Sequence, residues 1–108
     1  VHYPGLADHH HHALAARQMN RFGSVVSFQL ANGDGYAALV ENLQLVRCAT
    51  SLGGPETLIC ESWTTTHSGL DEDARREIGV NPGFIRMSMG LEAVEDLWDD
   101  LDRALSSL

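Results

Sequence analysis

Two hydrophobic periods alternate along this chain, and that alternation restricts the fold more than any other feature. In residues 24–30 the apolar side chains recur at every second position, with Val26, Phe28 and Leu30 on one side and Val25, Ser27 and Gln29 on the other. Near the C-terminus Val94, Leu97, Trp98, Leu101, Leu105 and Leu108 instead fall at steps of three and four. A period of two belongs to a half-buried strand, and a period near 3.6 to a helix with one apolar face. A chain that switches between them builds a sheet with helices packed on it.

Applied along the chain, the pattern predicts helices over residues 9–19, 36–43, 71–78 and 93–105, and strands over 24–30, 45–49, 57–61 and 84–89. Asp8 is the expected N-cap of the first helix, and Gly23 its stop. Asn32-Gly33-Asp34-Gly35 reads as a turn, Ser51-Leu52-Gly53-Gly54-Pro55 as a loop, and Gly79 as the left-handed terminator of the third helix. The expected fold class is α+β: a two-layer sandwich whose four-stranded, mostly antiparallel sheet carries helices on one face. Residues 1–108 form a single domain in this reading, because domains take about 100–200 residues.

The strand faces carry the first functional hint. In 84–89, Ile85, Met87 and Met89 point one way and Phe84, Arg86 and Ser88 the other. If the helices cover the apolar face, Arg86 is left near the middle of a mixed face that opens towards water or a second domain. An arginine there is either paired at a sheet edge or set to grip a carboxylate through two parallel hydrogen bonds. Ser51-Leu52-Gly53-Gly54 is either a plain strand connection or a hydroxyl with free backbone amides that holds an anion.

Several function classes are excluded or disfavoured. With 7 basic against 15 acidic residues and a net charge of −8, the chain lacks the clustered cations that nucleic-acid binding requires. No apolar run approaches the ~20 residues of a membrane span, and no secretory leader pattern precedes the domain, so no membrane partner and a cytoplasmic setting are expected. Cys48 and Cys60 form neither a disulfide framework nor a zinc set, and both fall in apolar stretches that suit packing. The run His9 to His12 would place His9 and His12 on one side of a helix. It reads as helix surface rather than as a metal site or a vector tag, since no second ligand cluster accompanies it. The outer face of the last helix, with Glu95, Asp96, Asp99, Asp100 and Asp102, reads as solvated. No Gly-x-Ser-x-Gly elbow, phosphate loop or dinucleotide fingerprint is present, so no catalytic residue and no metal ligand is assigned.

Beyond these patterns, a set of stretches resembles a known family. They are His2-Tyr3-Pro4-Gly5-Leu6, then His9 and His12, Leu14-Ala15-Ala16-Arg17-Gln18-Met19, Phe22-Gly23-Ser24-Val25-Val26-Ser27-Phe28, Ser51-Leu52-Gly53-Gly54-Pro55-Glu56-Thr57-Leu58, Thr66-His67 and Arg86-Met87-Ser88-Met89-Gly90-Leu91-Glu92. In this order they resemble the C-terminal region of the Cys/Met-metabolism family of pyridoxal-phosphate enzymes, which includes cystathionine γ-synthase, γ-lyase and β-lyase and methionine γ-lyase.

The resemblance implies the small C-terminal domain of a fold-type I enzyme, packed on a large cofactor domain. It implies that Arg86 binds the α-carboxylate of an amino-acid substrate. It also implies that Ser51 helps hold that carboxylate and the active-site lysine, and that His9 and His12 are native. The family's Schiff-base lysine, its pyridine-nitrogen aspartate, its ring-stacking aromatic residue and its phosphate ligands lie upstream of this region. Pyridoxal phosphate is therefore expected to be bound through an N-terminal domain absent from this chain, and the isolated chain is expected to be inactive. The implied enzyme is a cytoplasmic lyase or transferase of trans-sulfuration, a homotetramer at full length, acting on sulfur amino acids or homoserine esters. Thr50 stands where cystathionine γ-synthases and γ-lyases often carry glutamate, and Glu61-Ser62 replaces a usual His-Pro, so the reaction within the family stays open. The other reading is a stand-alone amino-acid-binding or regulatory α+β domain; the absence of an initiator Met at Val1 favours a fragment.

Overall fold

A computed structural model describes all of residues 1–108. The elements follow in the order α1 (His12–Gln18), β1 (Val25–Gln29), α2 (Tyr36–Asn42), β2 (Arg47–Cys48), β3 (Leu58–Glu61), α3 (Glu72–Glu77), β4 (Phe84–Ser88) and α4 (Val94–Leu105). The strands form one sheet in the order β1-β4-β3-β2. β4 pairs antiparallel with both β1 and β3, whereas β2 joins β3 in parallel at the edge. The mostly antiparallel α+β sandwich expected from the sequence is present.

Register explains the faces. Val26 stands opposite Met87 and Phe28 opposite Ile85, while Ile59 lies opposite Met87 on the other side of β4. These side chains meet Leu39 of α2 and Leu97 and Ala104 of α4 in the core, together with Leu30 and Val46. Alternation puts Arg86 on the opposite face, between Ser27 of β1 and Cys60 of β3. That face is less open than the pattern suggested: Leu58, Cys60 and Ser88, which share it, are all buried.

Local signals succeed where they are self-contained. Asp71 caps α3 by accepting from the Ala74 amide at 2.8 Å. The helix ends on Gly79 at φ 81°, with Gly79 N donating to Arg76 O and Val80 N to Arg75 O. This paired closure needs a left-handed residue, for which glycine carries no steric penalty.

Three expectations are corrected. First, α1 is shorter than residues 9–19, and Asp8 does not cap it: His11 occupies the N-cap with no side-chain hydrogen bond. The preceding residues close successive turns, His9 N to Leu6 O and His12 N to His9 O, so the chain is already hydrogen-bonded before the helix begins. Second, β2 has two residues rather than five, because the amides of Gln44, Leu45 and Val46 donate to the Asp100 carboxylate instead of to a strand. Asp100 itself is buried, not solvated. Third, Cys48 is exposed and only Cys60 is buried; the Cys48 thiol lies 3.0 Å from the Tyr36 hydroxyl. Burial of that hydroxyl and its bond to Cys48 push its pKa well above the usual phenol value.

Candidate carboxylate-binding site

Arg86 is carried at the centre of β4, and its guanidinium reaches the loop that follows β2. One terminal nitrogen, Nη2, donates to the carbonyls of Thr50 at 2.5 Å and Ser51 at 3.2 Å. Its Nε is buried without a partner. Holding a half-buried cation by two neutral carbonyls leaves its charge uncompensated, since no carboxylate of the chain lies within ion-pair distance of it; the two ion pairs are Arg76–Glu72 and Arg103–Asp100. An uncompensated guanidinium in a partly dehydrated site favours an anionic ligand, and its planar fork fits a carboxylate.

The structure brings the backbone carbonyl of Ser51, the residue that the family resemblance set in the same pocket, beside Arg86; Ser51 itself is exposed. The Gly-rich loop is secured at both ends. Gly53, at φ 78°, donates its amide to Ser88 Oγ at 3.0 Å, so the strand that carries Arg86 also fixes the loop facing it. At the far end the Glu92 carboxylate accepts from Thr57 N at 2.7 Å and from Thr57 Oγ1 at 2.6 Å. Thr57 Oγ1 in turn accepts from Gly90 N at 2.8 Å. These bonds, the Thr57 hydroxyl first, hold the Glu92 carboxyl below the usual carboxylate range.

Ser88, Thr57, Glu92 and Gly90 were not assigned roles from the sequence, yet a signal existed. They lie in the two stretches around residues 51–58 and 86–92 that carry the family resemblance, and these are the stretches the fold brings together. Gly90 is required by space: a Cβ there would overlap the Pro55 carbonyl oxygen and stand 2.5 Å from the Glu56 carbonyl carbon. Gly90→Ala is therefore expected to push the 51–56 loop off its seat and lower Tm by about 5–10 °C, from a packing cost of about 1–3 kcal/mol. Thermal unfolding followed by circular dichroism measures it, and an unchanged Tm would show that the loop yields freely.

The histidine run does not converge. His12 lies on α1, 2.8 Å from Pro4 O through Nδ1, with its ring stacked on Phe22. His9, His10 and His11 crowd one another outside the helix, and the positive charge that His11 and His9 would share with it lowers the pKa of His10. No group of three or more His, Cys, Asp or Glu side chains is arranged to hold a metal. Thr66 Oγ1 and His67 Nδ1 bond each other at an exposed position. No helix is long and apolar enough to cross a membrane.

The pyridoxal-phosphate expectation can be tested on the residues present. All seven basic residues are arginines, at positions 17, 21, 47, 75, 76, 86 and 103, so the chain offers no ε-amino group to bond the cofactor's aldehyde. The residues of this chain do not by themselves make a site for that group.

A four-stranded sheet with helices on one face, and Arg86 on the other bonded to a Gly-rich loop, is consistent with the small α+β domain of a fold-type I enzyme that the resemblance implies. Comparison with known proteins gives the family: residues 1–106 match the Cys/Met metabolism PLP-dependent enzymes, and the chain belongs to that family. It is 45% identical over 105 residues to a cystathionine β-lyase of Lactococcus lactis subsp. cremoris, covering 97% of this chain and 28% of the relative. It is 41% identical over 109 residues to an L-methionine γ-lyase of Fusobacterium nucleatum subsp. polymorphum, covering 100% and 28%. Among solved structures, a cystathionine γ-lyase from Lactobacillus plantarum complexed with L-serine superposes with a TM-score of 0.92 at 39% identity, over 97% of this chain and 28% of that one. The chain thus spans about 28% of the length of the relatives it matches.

Proposed function

We propose that this chain, residues 1–108, is the C-terminal substrate-carboxylate domain of a pyridoxal-phosphate-dependent trans-sulfuration enzyme, acting on a sulfur amino acid or a homoserine ester. The observation that carries the reading is Arg86: a half-buried guanidinium with no acidic partner, one nitrogen turned to the Thr50 and Ser51 carbonyls, on a chain whose relatives act on amino acids by name. The large cofactor domain of the same polypeptide supplies the lysine and the remaining cofactor ligands, and the full-length enzyme assembles as a homotetramer.

In this role Arg86 binds and orients. Its fork fixes the plane of the substrate carboxylate, which sets the direction of the Cα–H bond relative to groups on the other domain; the catalytic gain is positional. Pyridoxal phosphate, when bound there, supplies the electron sink. The loop carbonyls fix the guanidinium, and Ser88 and the Thr57–Glu92 pair fix the loop.

The test compares an amino-acid substrate with the corresponding amine, which lacks only the carboxylate. A site built around a charged hydrogen-bonding partner rejects an analogue without it by about 10⁴-fold in kcat/KM. The full polypeptide carrying this chain is expected to show that discrimination, and the 108-residue chain alone is expected to turn over neither compound. Equal kcat/KM for acid and amine would end the carboxylate assignment, and turnover by the chain alone would end the division of labour. A stand-alone amino-acid sensor would bind the acid without any turnover.

A further inference from the structure

Glu61, at the end of β3, is a buried carboxylate without a countercharge. It is 5% exposed, and neither ion pair of the chain involves it. Its two oxygens are fixed by neutral donors, Gly83 N at 2.7 Å and Thr64 Oγ1 at 2.6 Å. Its backbone carbonyl accepts from Thr65 Oγ1, so the residue is anchored at both ends. Glu61 lines a cavity of about 460 Å³ together with Asp34, Tyr36, Trp63, Thr64 and Pro82, a volume in the range of small-molecule pockets. Both aromatic rings of the lining are held in place. The Tyr36 hydroxyl lies 3.0 Å from Cys48 Sγ. Arg75 donates to Trp63 O at 2.7 Å and sets its guanidinium 4.1 Å from the indole centroid. Arg75 and Arg76, the cations on that indole, come within ion-pair distance of neither Glu61 nor Asp34.

We propose that this cavity is a binding site for a small organic ammonium ion, separate from the carboxylate site around Arg86. A carboxylate taken out of water with no partner cation carries a desolvation cost that a bound cation offsets. Because Glu61 is already fixed in direction, little ordering is lost when such a ligand arrives. Asp34, exposed at the rim, adds a second negative charge. The rings of Tyr36 and Trp63 attract the positive charge of an alkylammonium and pack against its carbon atoms. A metal ion matches the cavity less well, since it demands several convergent ligands and no group of three or more His, Cys, Asp or Glu is arranged to hold one. Sheet parity separates the two sites. Glu61 stands opposite Ile85 and therefore projects to the helix-bearing side, whereas Cys60 stands opposite Arg86 on the far side. Glu61 also replaces the histidine usual in the family, so the carboxylate is particular to this chain.

The experiment titrates the full polypeptide with choline as the probe, followed by isothermal calorimetry. A quaternary ammonium has no N–H and cannot condense with the aldehyde of a bound cofactor, so the signal reports a non-covalent site. One choline per chain is expected to bind, with Kd of about 1 mM or lower. The uncharged isostere, in which a tert-butyl group replaces the trimethylammonium, is expected to bind at least about tenfold more weakly. Glu61→Gln keeps an acceptor for Gly83 N and a donor for Thr64 Oγ1, so it should preserve the circular dichroism spectrum while weakening choline at least about tenfold. Arg86→Ala should leave choline binding unchanged. Absence of saturable binding below about 10 mM, equal binding of the isostere, full binding in Glu61→Gln, or loss in Arg86→Ala would each overturn the assignment. The carboxylate reading is tested by the discrimination between acid and amine, so either can fail without the other.

Discussion

Arg86→Ala in the full polypeptide is expected to raise KM for the amino-acid substrate about 100-fold while lowering kcat by less than tenfold. The loss corresponds to about 3 kcal/mol of binding, in the range for removing one partner of a desolvated, hydrogen-bonded charge pair. The split between KM and kcat follows from the chemistry assigned to the residue. Arg86 holds a group that does not react, so most of its contribution is present in the ground state and the transition state alike and moves KM first, while the lost orientation of the Cα–H bond accounts for the smaller fall in kcat. Arg86→Lys is expected to recover only part of the loss. A lysine ammonium is a point charge on a flexible stem, and it cannot serve a carboxylate with a planar fork while also donating to the Thr50 and Ser51 carbonyls. A steady-state comparison of the three proteins with an amino acid and its amine checks the assignment. An unchanged KM in Arg86→Ala would refute it. So would an equal KM increase for the amine, which has no carboxylate to lose.

The site was legible to different depths for different physical reasons. Arg86 and the opposition of Ile85 and Met87 to it followed from strict alternation, because a strand fixes side-chain direction by parity alone. Gly79 was equally plain, since it acts within one helical turn of its own position, whereas Asp71, read as the first residue of its helix, is the N-cap. The proximity of Arg86 to Ser51 came from family resemblance rather than from pattern; only the fold brings residues 35 apart into hydrogen-bond contact. What stayed hidden depends on partners distant in sequence. The Gly90 requirement is set by the Pro55 carbonyl. Asp8 failed as a cap because turns from Leu6 to His12 satisfy the backbone before α1 starts. On α4, periodicity identified an apolar stripe but could not say how wide a partner it meets. Trp98 is on the stripe and still 69% exposed.

Asp100 shows the same limit with a larger energetic consequence, and it gives the strongest stability prediction. On the helical pattern it is one of several acids on an outer face, yet it is 5% exposed and accepts from the backbone amides of Gln44, Leu45 and Val46 at 2.8, 2.9 and 2.9 Å. Arg103 bonds the same carboxylate and also reaches Asn42 O at 2.5 Å. The residue thus ties α4 to the end of α2 and the entry into β2, across a sequence separation of more than 50 residues. Asp100→Ala strands three amide donors, at about 1–3 kcal/mol for each one left buried and unpaired. With partial relief from water, the expected loss is about 3–5 kcal/mol, a large part of the roughly 5–15 kcal/mol of a typical domain. Tm should fall by about 15 °C. Asp100→Asn keeps one acceptor oxygen but turns an amide donor towards other donors, so it should lose at least half as much.

The pH dependence identifies the charge. Burial raises the Asp100 pKa, but the three amides and Arg103 outweigh it, and the folded value lies below the ordinary 3.8. A carboxyl depressed by folding contributes stability that is fully present above its unfolded pKa and lost as pH falls through its folded one. Urea unfolding of the wild-type chain should therefore weaken as pH drops below about 4, with Glu92 adding to the slope in the same direction. In Asp100→Ala that slope should flatten. A variant as stable as wild type at pH 7, or one with the same acid slope, would show that the carboxylate is not the anchor of α4.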